Sequence, residues 1–142
     1  MIIIVDGFEK SGRTTLAKKL GEEIGGSHII DPIPYRKPDS LWEFISDLDF
    51  ISKTGANAVF DGSIMSDDSF ELSDDEISLL GTFFYHNNIF LYFCCSDNYD
   101  KLLDVSELTD DMLKEHITKM YAKFTGLRCF CPVISHDIFK TN

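Results

Sequence analysis

Gly7 and Gly12 stand five residues apart, and Arg13, Thr14 and Thr15 follow at once. The loop reads G-x-x-x-x-G-R-T-T, preceded by an apolar run over residues 1–5 and followed by an amphipathic stretch. Strand, glycine-bracketed loop and helix are the setting in which backbone amides cradle phosphate. The two glycines allow the intervening amides to curl inward, and the helix start aims its N–H groups and positive dipole end at the same point. Thr14 is placed to reach a Mg²⁺ ion, and Arg13 to bring charge beside the β- and γ-phosphates of a nucleotide. Arginine stands where this motif usually carries lysine, which keeps the sign of the charge but changes its reach. The chemistry indicated is phosphoryl transfer.

The elements that must hold this loop alternate. Strands are expected at residues 1–5, 27–30, 58–61, 89–94 and 132–135. A helix over 13–24 carries Leu16, Leu20 and Ile24 on one stripe, and Gly25-Gly26 ends it. A second, after Asp39-Ser40, turns Leu41, Phe44, Ile45 and Leu48 inward and ends near Thr54-Gly55. Ser73-Asp74-Asp75-Glu76 is a capping box that opens a third helix reaching His86. A last helix over 110–124 starts from Thr109 and is stopped by Gly126. Strands alternating with helices predict an α/β fold of three layers with a five-stranded parallel sheet, order 2-3-1-4-5, in one domain over 1–142. Ligands of such sheets bind beyond the carboxyl ends of the strands, where Asp6, Asp31, Asp61 and Ser96-Asp97 fall.

Composition narrows the function classes. The 142 residues hold 13 Lys and Arg against 24 Asp and Glu, a formal charge of −11. That balance argues against a binder of duplex nucleic acid, which needs a basic face. A nucleotide pocket needs only a few local charges. No apolar run approaches a membrane span and Met1 opens directly into a strand, so a soluble, cytoplasmic protein is expected. Cys94, Cys95, Cys129 and Cys131 form no C-x-x-C, and the four histidines lack metal spacing, so reduced, buried thiols are expected.

The loop Gly7-Phe8-Glu9-Lys10-Ser11-Gly12-Arg13-Thr14-Thr15 resembles that of the P-loop nucleoside and nucleotide kinases. It is most similar to the eukaryotic and viral type of thymidylate kinase and related deoxynucleoside monophosphate kinases. The resemblance implies ATP and Mg²⁺ as cofactors and Gly7, Ser11, Gly12, Arg13, Thr14 and Thr15 as the nucleotide-binding residues. It implies that Glu9 contacts the acceptor sugar and that Lys10 and Arg13 clamp the transferring phosphate. Relative to the family, Lys10 and Arg13 exchange the two basic types. Asp61 matches a family aspartate beside the metal and acceptor phosphate, so Thr14 and Asp61 are the expected metal residues. Ser66 and Phe70 fall at the family spacing of a serine and an aromatic; Phe70 reads equally as an aromatic that stacks on the acceptor's base and as a plain core aromatic. Related kinases commonly dimerise, and the small size is similar to phage or viral members.

Two departures stand out. Gly62 replaces the arginine that grips the acceptor's phosphate, leaving Arg36 or Lys37 to take over. Residues 97–112, where such kinases carry a basic lid, hold six acids and one base, Lys101, and so predict a solvated acidic surface. Two readings follow. One is an active kinase using Glu9, Lys10, Arg13 and Asp61 on a small nucleoside or nucleotide. The other is a degenerate kinase fold that binds nucleotide, or nothing, and acts through a protein partner. A 5′-hydroxyl polynucleotide kinase fits the same fold, but the net acidity weighs against it.

Overall fold

The computed structural model describes residues 1–8 and 12–140. Five parallel strands, β1 (Ile2–Gly7), β2 (Ile33–Pro34), β3 (Ala58–Asp61), β4 (Ile89–Cys95) and β5 (Val133–Asp137), form one sheet in the order β2-β3-β1-β4-β5. Five helices connect them: α1 (Arg13–Gly25), α2 (Leu41–Thr54), α3 (Asp74–His86), α4 (Tyr99–Ser106) and α5 (Asp110–Arg128). A single 3-10 turn, Ile64–Ser66, follows β3.

The central strand β1 is buried along its whole length, as its unbroken run of branched residues requires. Its side chains alternate between two layers of core. Ile3 and Val5 meet Ala17 and Leu20 of α1, with Leu16 and Ile24 packed beside them. Ile2 and Ile4 join Leu91 and Phe93 in the larger core with side chains of α2, α3, α4 and α5. The predicted three-layer α/β sheet and its strand order are therefore observed.

Three helix starts follow from local chemistry. The hydroxyls of Ser40, Ser73 and Thr109 accept from the amides of Glu43, Glu76 and Met112, and Ser73–Glu76 closes a full capping box.

Several boundaries differ from expectation. Strand two lies at Ile33–Pro34, not at 27–30. The earlier segment instead lies on α1, with the Ile30 amide donating to the Gly21 carbonyl at 3.2 Å. Prolines are tolerated in β2 because it is an edge strand. Helix α5 runs through Gly126 to Arg128. Gly126 marks a close helix crossing rather than a stop, since a Cβ there would sit 2.9 Å from Ile77 Cγ2 of α3. Helix α4 was not anticipated. It is one short stretch capped by Asn98, with Leu102 as its buried residue. The six acids of 97–112 are all exposed, as expected. Among the described residues no helix is long and apolar enough to cross a membrane.

Candidate functional site

The carboxyl ends of β1 and β3 lie side by side, with Val5 in register with Asp61. Gly7 carries the chain off β1 at φ +112, so close to β4 that a Cβ would lie 2.1 Å from the Cys94 carbonyl. Gly12 then opens α1 in the left-handed region, at φ +96, with no atom within 4 Å of where its Cβ would be. Unlike the other four helices, α1 receives no side-chain cap from its N-cap residue and has no acid in its first turn. Its N-terminus thus keeps the electrostatic character that suits an anion.

Three side chains interlock here. Thr14 Oγ1 donates to Asp61 Oδ2 at 2.6 Å, across 47 residues of chain. Arg13 Nε donates to Asp61 Oδ1 at 2.9 Å and its Nη1 to the Gly7 carbonyl at 3.0 Å. The same Nη1 lies 3.8 Å from Asp6 Oδ1. Arg13 is only 8 % exposed, so its charge is directed inward onto protein oxygens. Gly62 makes this possible: a Cβ there would press within 3.1 Å of Arg13 Nη2 and of the Tyr35 Cβ. The missing side chain at 62 and the arginine at 13 are therefore one arrangement, not two unrelated departures.

Beneath them Asp6 is fully buried. Burial pushes its carboxyl above the usual carboxylate range, against hydrogen bonds from the Ser63 and Ser66 hydroxyls, the charge of Arg13 and the Gly7 amide. Asp67, near the surface, is held below the usual range. Burial acts to raise it, but hydroxyls of Ser69 and Tyr35 outweigh that. Tyr35 donates to Asp67 Oδ2 at 2.6 Å, and burial followed by this carboxylate raises the phenol.

A cleft of about 460 Å³ opens over these groups, walled by Thr14, Arg13, Asp61, Tyr35, Asp67 and His116. A second, of about 440 Å³, is lined by Phe8, Asp68, Leu108, Met112 and again His116. A third, of about 430 Å³, shares Pro34, Tyr35 and Gly62 with the first and holds Arg36.

Of the residues expected at a site, Gly7, Gly12, Arg13, Thr14 and Asp61 are brought together. Thr15 follows in the exposed first turn of α1. Ser66 lines the main cleft while bonded to Asp6. Arg36 sits one cleft away. Phe70 does not line the main cleft; it packs against the larger core, and its carbonyl accepts from Lys123 at 2.7 Å. Glu9, Lys10 and Ser11 lie outside the described residues. Sequence reasoning placed Asp6 at the strand ends but not its burial, and passed over His116; a histidine inside an amphipathic helix carries no local signal, because only the fold brings α5 to the strand ends.

Among the described residues no group of three or more His, Cys, Asp or Glu side chains could hold a metal. Thr14 and Asp61 nevertheless offer adjacent oxygens on an open cleft. That suits Mg²⁺, which takes one or two protein ligands and completes its shell with phosphate and water. Comparisons with protein families, with curated proteins and with solved structures found no match.

Proposed function

We propose that this chain is a Mg²⁺-dependent phosphotransferase of P-loop kinase type, using ATP as donor and a small nucleoside or nucleotide as acceptor. The observation that carries the reading is the 2.6 Å contact of Thr14 Oγ1 with Asp61 Oδ2 at a helix start whose own first turn holds no acid and whose N-cap residue supplies no side-chain cap. Phosphate would lie against the α1 N-terminus, and Thr14 and Asp61 would hold the ion. Bound there, Mg²⁺ would neutralise charge developing on the transferred group. Arg13 keeps Asp61 oriented from its other oxygen and offsets the buried charge of Asp6. The main cleft, continuous with this point, takes the acceptor.

A second reading is nucleotide binding without transfer, favoured by the inward engagement of Arg13 with Asp61 and the Gly7 carbonyl. Phosphoryl-transfer assays over nucleosides and nucleoside monophosphates separate the two. Under the first reading at least one acceptor turns over. Asp61→Asn then raises the Mg²⁺ needed for half-maximal rate by on the order of 10–100-fold, and Thr14→Ala acts in the same direction. Nucleotide binding with no turnover of any acceptor supports the second reading.

A further inference from the structure

Resting on the kinase reading, we infer that the acceptor is an uncharged hydroxyl compound of the nucleoside class, not a monophosphate, and that His116 is the general base for its hydroxyl. His116 projects from α5 with Nδ1 2.8 Å from Asp68 Oδ2. A carboxylate at that distance keeps the Nδ1 proton in place and leaves Nε2 as a proton acceptor. The ring of Phe8, at the end of β1, meets the imidazole edge-on with centroids 5.9 Å apart. The imidazole borders both the cleft over Thr14 and Asp61 and the cleft beside it, where Phe8, Leu108, Met112 and Leu113 mix with Asp68, Glu115 and Lys119. Among the described residues the other Asp68 oxygen, Oδ1, has no hydrogen-bond partner.

Among the described residues, the charges lining the cleft disfavour an anionic acceptor. Asp61 and Asp67 face it. Among the described residues Arg13 is the one arginine or lysine that lines it. Arg13 is held by Asp61 and the Gly7 carbonyl, and Lys37 donates to Ser69. Lys119 pairs with Glu115. Lys123 is buried on the carbonyls of Ile64, Asp67 and Phe70. Arg36 borders the third cleft with Glu43 and Asp47. A monophosphate carries close to two charges near neutrality and would meet carboxylates there. It is also already ionised and needs no base, whereas a hydroxyl must lose its proton as it reacts.

In the step assigned, the acceptor oxygen forms a bond to the γ-phosphorus while its proton passes to His116 Nε2. The bond from that phosphorus to the β-bridging oxygen breaks, and its electron pair leaves with ADP. The imidazolium then returns its proton to water. The charged and titratable groups that share its two clefts are Asp68 and Asp67 from the segment after β3, Asp61 and Arg13 across the cleft, and Glu115 and Lys119 on its own helix.

The test is a transfer assay with ATP–Mg²⁺ on the four common deoxynucleosides and their 5′-monophosphates, run on wild type, His116→Gln and Asp68→Asn. Nucleosides should turn over and monophosphates should not. His116→Gln should lower kcat by about 10²–10⁴-fold with KM little changed and should abolish the fall in rate at acid pH. Asp68→Asn should lower kcat less. Faster turnover of monophosphates, an acid limb surviving in His116→Gln, or no turnover of any nucleoside would each overturn the inference. ATP–Mg²⁺ titration of wild type in parallel distinguishes the failures. Binding retained with these outcomes refutes the acceptor alone; binding absent refutes the kinase reading with it.

Discussion

At the residue scale, the site is a set of carboxylates each held by its own neighbours. Asp6 is buried under two serines, Asp61 is bridged by Arg13 and Thr14, and Asp67 is held by Tyr35 and Ser69. The Tyr35–Asp67 bond joins the end of β2 to the segment after β3. Tyr35→Phe should cost about 1 kcal/mol near neutrality. Asp67 has a lowered pKa, so its part of the stabilisation is present above the ordinary 3.8 and is lost as pH falls through the folded value. Tyr35 has a raised pKa, so its part is present below 10.0 and is lost as pH rises through the folded value. The gap in urea midpoint between wild type and Tyr35→Phe should therefore be flat around neutrality and close toward both extremes. A gap that widens in acid would contradict the assignment. Thr14, Asp61 and Arg13 were legible because loop spacing and strand ends mark them. The inward turn of Arg13 was not, since it depends on the space left by Gly62, 49 residues away in the chain.

At the scale of elements, the helix starts were the clearest signals, because a cap is written in a few adjacent residues. Ser40, Ser73 and Thr109 all cap as expected. What failed to read were features set by packing at a distance. The expected strand at 27–30 is displaced by contact with α1, and Gly126 is kept for the crossing with α3. Helix α4 buries Leu102 and little else, so its apolar periodicity is too short to stand out. Gly21 tests the first of these. A Cβ there would lie 2.0 Å from the Ile30 carbonyl oxygen, which is backbone and cannot swing aside. Overpacking of this kind costs about 1–3 kcal/mol, more than the roughly 1 kcal/mol an alanine gains in a helix. Gly21→Ala should lower the melting temperature. An unchanged or raised value would mean that residues 27–30 do not sit against α1.

At the scale of the whole molecule, the parallel order brings the end of β1, the start of α1, the end of β3 and His116 of α5 to one edge of the sheet. An overall charge of −11 surrounds this edge. On the kinase reading proposed above, the charge of a polyanionic donor is met among the described residues by the α1 N-terminus and by an ion held at Thr14 and Asp61. ATP binding should therefore require Mg²⁺ far more strictly than a site lined by free cations would. The most direct test is calorimetric titration of ATP into the wild-type chain with Mg²⁺, with EDTA in its place, and with Mg²⁺ into Asp61→Asn. Binding with Mg²⁺ that is lost in EDTA and weakened in the variant is the predicted result. No heat of binding at millimolar ATP with Mg²⁺ present would contradict a nucleotide site at this edge.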